Sequence, residues 1–112
     1  MDKIAHYQNA LCALFADYVN NTVTLGADQL EAKMLIDKEH NRFQVLYYGW
    51  QRGKYSFSTA FHFDIIDGKI WLQCNNTEWE VDTILIEKGV LKEDIIIGFL
   101  PPYYREIAKT AA

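Results

Sequence analysis

The side chains able to do chemistry in this chain are few, and most fall in one alternating stretch. Asp37, Arg42, His62, Asp64 and Gln73 supply two carboxylates, a guanidinium, an imidazole and an amide. Held within reach of one another, such groups could bind an anion or move a proton. The competing reading is that polar residues alternating on the wet face of a sheet form cross-strand pairs, each worth ~0.2–1 kcal/mol. An open sheet face also lacks the concavity that most active sites use. His6 and His40 fall in a helical stretch and a turn. The sequence holds no glycine-rich phosphate loop, GxSxG, HExxH or EF-hand loop. Cys12 and Cys74 show no CxxC or Cys/His spacing, so they read as reduced packing thiols, and neither metal nor cofactor is expected.

Whether the five polar residues meet depends on the strands that carry them. Between Gln29 and Asn75 the apolar residues recur with period two, and three turns set the pairing. Asp67-Gly68 is a two-residue hairpin signal that opposes Ile66 with Lys69, then Ile65 with Ile70, Phe63 with Leu72 and Phe61 with Cys74. Gln51-Arg52-Gly53 fits a three-residue loop opposing Trp50 with Lys54, which gives Tyr47–Phe57, Val45–Thr59 and Phe43–Phe61. Lys38-Glu39-His40-Asn41 opposes Asp37 with Arg42 and adds Ile36–Phe43, Met34–Val45 and Ala32–Tyr47. The three turns agree on one inner face, to which Leu30 also belongs, and a slip of one residue would invert it. In this register Asp37, Arg42, His62 and Gln73 form one row across the outer face, with Asp64 one step along, opposite Trp71.

Helices complete the fold. Ile4, Tyr7, Leu11, Leu14 and Tyr18 recur at spacings of three and four; Asp2 can cap that helix and Asn20-Asn21 can end it. Thr77 with Glu80 has the capping-box pattern for a second helix closed by Gly89. Ile95-Ile96-Ile97-Gly98-Phe99 reads as a short strand stopped by Pro101-Pro102, and residues 103–107 suggest one more helical turn. The predicted architecture is α+β: an N-terminal helix packed on a four-stranded antiparallel meander, then a second helix and a short C-terminal strand. With 112 residues and no linker, it is one domain over 1–112. No apolar run approaches a membrane span and no secretory signal is visible, so the chain reads as cytoplasmic.

Charge narrows the function. Fifteen acidic and eleven basic residues leave −4, which argues against gripping a duplex by its phosphates. Lys38, Arg42 and Lys69 at one end of the meander are interspersed with Asp37, Glu39 and Asp67, so no cationic groove forms. Leu46, Tyr48 and Trp50, by contrast, point to the outer face, with Leu35 and Trp71 nearby. An exposed aromatic cluster marks an association surface, for a partner or for a second copy in a twofold dimer.

The run Asp67-Gly68-Lys69-Ile70-Trp71-Leu72-Gln73, then Thr77-Glu78, then 89–95, then Gly98-Phe99-Leu100-Pro101-Pro102 and Arg105 resembles the XisI family, the fdxN-element excision controlling factors. The opening Met1-Asp2-Lys3 and the hairpin leading to Gly49-Trp50 match as well. The sequence departs from the family pattern at Leu100, where histidine is expected, Leu91, where proline is usual, and Asn76, where glycine is usual. The resemblance implies a non-enzymatic accessory protein in site-specific excision of a DNA element during heterocyst differentiation, acting beside a recombinase and an XisH-like companion. It carries over no catalytic residue. The alternatives are a direct DNA-binding accessory factor, or a small-molecule binder or enzyme using Arg42, His62 and Asp64.

Overall fold

The computed structural model describes residues 2–25 and 29–103. Helix α1 (Lys3–Leu25) is followed by strands β1 (Gln29–Asp37), β2 (Arg42–Gln51), β3 (Lys54–Ile66) and β4 (Lys69–Asn75). Helix α2 (Val81–Glu87), a 3-10 turn (Lys92–Asp94) and β5 (Ile95–Ile97) complete it. The sheet has five strands in the order β1-β2-β3-β4-β5. The first four form the expected antiparallel meander; β5 joins it as a fifth strand, parallel to β4. A parallel neighbour needs a crossover, and α2 supplies it.

Asp2 caps α1, its Oδ1 accepting from the Ile4 amide at 3.0 Å. The helix runs through Asn20-Asn21 to Leu25, because asparagine is only mildly unfavourable inside a helix. Tyr7, Leu11, Leu14 and Phe15 form its buried stripe, which lies on Phe43, Val45, Phe61 and Phe63 of the sheet. Phe61 is the centre: its ring lies 6.1 Å from Phe15, 4.8 Å from Tyr18 and 6.5 Å from Trp79. Val81 and Leu85 bring α2 into the same core. Among the described residues no helix is long and apolar enough to cross a membrane.

The register departs from expectation at three places. Arg52-Gly53 is a two-residue turn with φ +53° and +75°, so Gln51 opposes Lys54 and Trp50 opposes Tyr55. A bulge then places Leu46 opposite Thr59 but Val45 opposite Phe61, with Ala60 the extra residue. A second bulge inserts Gln73 between Leu72, opposite Phe63, and Cys74, opposite His62. The consequences follow from the two-residue pleat. Phe57, expected in the core opposite Tyr47, opposes Tyr48 and is exposed; Cys74, expected beside Phe61, pairs with His62; Phe43 faces Phe63 rather than Phe61. Met34 and Ile36, also expected as core, are exposed because β1 is the edge strand of the sheet.

The second helix also begins later than its capping box suggests. Thr77 instead closes a local turn: its hydroxyl donates to Asn75 Oδ1 at 2.7 Å and accepts from the Trp79 amide. Such a side-chain turn competes with helix initiation, and α2 starts at Val81 behind Glu80, which makes no side-chain cap. The helical turn expected over 103–107 lies largely outside the described residues.

Candidate functional site

The outer face of the sheet has a polar half and an aromatic half. In the polar half the bulges redistribute the expected row. Asp37, Arg42, Asp64 and Trp71 share one rung, and Gln44, His62 and Cys74 share the next. Asp64 is the hub. Its Oδ1 lies 3.0 Å from His62 Nε2, and its Oδ2 accepts from Gln73 Nε2 at 3.4 Å. His62 Nδ1 faces Gln44 Oε1 at 3.4 Å, and the Gln44 amide donates to Thr59 Oγ1 at 3.0 Å. His62, Asp64 and Gln73 are therefore brought together, with Gln44 as a member the sequence reading missed.

Asp37 is drawn away from this cluster. Its carboxylate accepts from the His40 amide at 3.1 Å and lies 2.9 Å from His40 Nδ1. Those hydrogen bonds hold its carboxyl below the ordinary carboxylate value. A shallow depression of about 440 Å³ lies above the two rungs, lined by Leu35, Asp37, Arg42, Gln44 and His62 among others. Each ring nitrogen of His62 and each oxygen of Asp64 has a neighbour within the network, so these side chains are held to one another across the sheet. Among the described residues no three His, Cys, Asp or Glu side chains converge as a metal site would require.

The aromatic half is built by the β2–β3 hairpin tip. Leu46, Tyr48 and Trp50 lie on the outer face of β2, opposite Thr59, Phe57 and Tyr55. Tyr48 stacks on Phe57 with ring centres 5.6 Å apart, and Trp50 meets Tyr55 edge-on at 5.4 Å. Trp50, Tyr55 and Phe57 are 52%, 51% and 64% exposed. Tyr55 and Phe57 were missed because a three-residue loop puts β3 one step out of register. The signal that finds them is Arg52-Gly53 taken as a type I′ turn. Trp71 lies on the rung of Arg42, ~27 Å along the strand from Trp50 at ~3.4 Å per residue. It is not part of this cluster.

A third cluster is buried on the other side. Asp94 is 4% exposed; its Oδ2 accepts from the Tyr7 hydroxyl at 2.5 Å and pairs with Lys3 Nζ at 2.8 Å. Burial alone would raise this carboxyl, but the hydrogen bonds from Lys3 and Tyr7 outweigh it and hold the value below the ordinary one. The Tyr7 hydroxyl is pushed up by its own burial and by Asp94. This cluster pins the 3-10 turn and β5 to the first turns of α1. Nothing in Lys92-Glu93-Asp94 distinguishes it from a solvated turn.

A helix laid over one face of a five-stranded mixed sheet, with a hydrogen-bonded polar network and an aromatic hairpin on the other, defines a small α+β domain. The description "XisI protein" matches residues 1–112, and the chain belongs to that family. It is similar to the crystal structure of a XisI-like protein from Anabaena variabilis, with 36% identity, TM-score 0.82, and coverage of 93% of this chain and 94% of that one. It is also similar to the fdxN element excision controlling factor XisI from Anabaena variabilis, at 26% identity and TM-score 0.77, over 93% of this chain and 99% of that one. No curated protein matches the chain.

Proposed function

We propose that this protein is a non-catalytic accessory factor that controls site-specific excision of a DNA element by binding a protein partner through its aromatic hairpin face. The observation that carries this reading is the cluster Tyr48, Trp50, Tyr55 and Phe57 on paired strands, in which Trp50, Tyr55 and Phe57 are exposed and Tyr48 is half-buried beneath Phe57. Interfaces are enriched in such aromatic anchors, and a cluster of this kind is rarely left in water. Similarity to an fdxN element excision controlling factor supplies the process, and the family resemblance supplies an XisH-like protein as the partner. A net charge of −4 disfavours direct phosphate binding.

The test compares wild type with the double variant Tyr48→Glu, Trp50→Glu. Capture of a purified XisH-like partner should be lost while the thermal midpoint of the isolated protein is kept. Undiminished capture would remove the hairpin face from the mechanism. A salt-dependent mobility shift on the ends of the element, abolished by neither change, would favour the direct DNA-binding reading instead.

A further inference from the structure

Among the described residues the sheet has one long free edge. There β1 bonds only to β2, so alternate backbone N–H and C=O groups along it point away from the sheet. The opposite edge, β5, is three residues long, whereas β1 spans nine residues without a proline, a glycine or a bulge. Natural edges are usually blunted by such breaks or by charge. Here the centre is apolar on both faces: Met34, Leu35 and Ile36 are 44%, 50% and 38% exposed.

We propose that β1 pairs antiparallel with β1 of a second copy, about a twofold axis at Leu35, merging the two five-stranded sheets into one. The occupant and the register both follow from the charges. An axis at Lys33 would set two ammonium groups against each other, and one at Met34 would oppose Glu31 with Asp37. An axis at Ala32 leaves Leu35 against Gln29 and Ile36 beyond the ladder. The axis at Leu35 gives a ladder over 33–37 that sets Leu35 against itself, Lys33 against Asp37 twice, and Met34 against Ile36 twice, so within it each exposed apolar residue meets an apolar one and each charge meets its opposite. Lys33 is available for this exchange, since its neighbour Glu31 holds it only through an exposed 3.6 Å contact. Asp37 is fixed in position by His40 and keeps lone pairs for a second donor. The edge at Leu35 lies opposite Gln44, six residues along β2 from Trp50, so the aromatic face stays free for its partner.

Sedimentation equilibrium over a wide concentration range should find a dimer of the wild-type chain, weakened roughly tenfold or more by Leu35→Lys. The double variant Tyr48→Glu, Trp50→Glu should leave it unchanged, which separates this proposal from the partner-binding reading. The register is read by cross-linking in a Cys12→Ala, Cys74→Ala background. There Leu35→Cys should oxidise to a covalent dimer, and Lys33→Cys, ~13 Å from its symmetry mate at ~3.3 Å per residue, should not. A monomer at every concentration, a dimer indifferent to Leu35→Lys, or equal cross-linking at both positions would each overturn the proposal. The cross-linking arm stands even where Leu35→Lys disturbs folding.

Discussion

The substitution Tyr7→Phe isolates the buried ion cluster, because it keeps the ring in the core and deletes only the hydroxyl. Tyr7 is 2% exposed, and its hydroxyl donates to Asp94 and accepts from the Leu91 amide at 3.4 Å. Removing it leaves a buried carboxylate with Lys3 as its remaining side-chain partner. A hydrogen bond to a charged group contributes about 1.5–3 kcal/mol. At about 4–6 °C per kcal/mol for a domain of this size, the midpoint should fall by roughly 6–18 °C near neutral pH. The pH dependence fixes the cause. The folded Asp94 carboxyl sits below its unfolded value, so its stabilisation is fully present above the unfolded value, near ~3.9, and is lost as pH falls through the folded one. The gap between wild type and Tyr7→Phe should therefore narrow in acid, as the charged acceptor becomes neutral. Urea titrations of both proteins at neutral pH and through the acid range measure this directly. A gap under about 0.5 kcal/mol at neutral pH, or one that persists unchanged in acid, refutes the reasoning.

The aromatic centre of the core gives a second prediction. Phe61→Ala should destabilise by about 3–5 kcal/mol, since it empties the space among Phe15, Tyr18, Phe63 and Trp79; a loss under about 1 kcal/mol would place Phe61 outside the core. Cys12 and Cys74 are both unlinked and only partly buried. Thiol titration of the unfolded, unreduced protein should therefore count two free groups, and a monomer two mass units light with none would contradict this.

The contact-surface reading also accounts for the polar half of the sheet. His62, Asp64 and Gln73 were the side chains best suited to chemistry, yet the structure binds them to one another and to Gln44. Such a network holds these side chains to one another on the open sheet face.

The sequence by itself determined the elements and their order, because those depend on local physics. Helical spacing over Ile4–Tyr18, the Asp67-Gly68 turn and the loop over Lys38–Asn41 each set local geometry within a few residues. Pairing is therefore as expected next to those turns: Asp37 opposes Arg42, and Ile66 opposes Lys69. Only the tertiary structure decided what lies farther from them. Ala60 and Gln73 bulge out of the ladder, and neither residue type announces a bulge, since pairing with the neighbouring strand decides it. Each bulge moves the strand beyond it by one residue, and one residue exchanges the two faces of a strand. That exchange set Cys74 beside His62 and returned Phe61 to the core beside Val45; the shorter Arg52-Gly53 turn placed Phe57 with Tyr48 on the open face. The Lys3–Tyr7–Asp94 cluster is of the same kind: Asp94 is far in sequence from the Lys3–Tyr7 pair, and only the return of β5 to the sheet brings the carboxylate to them.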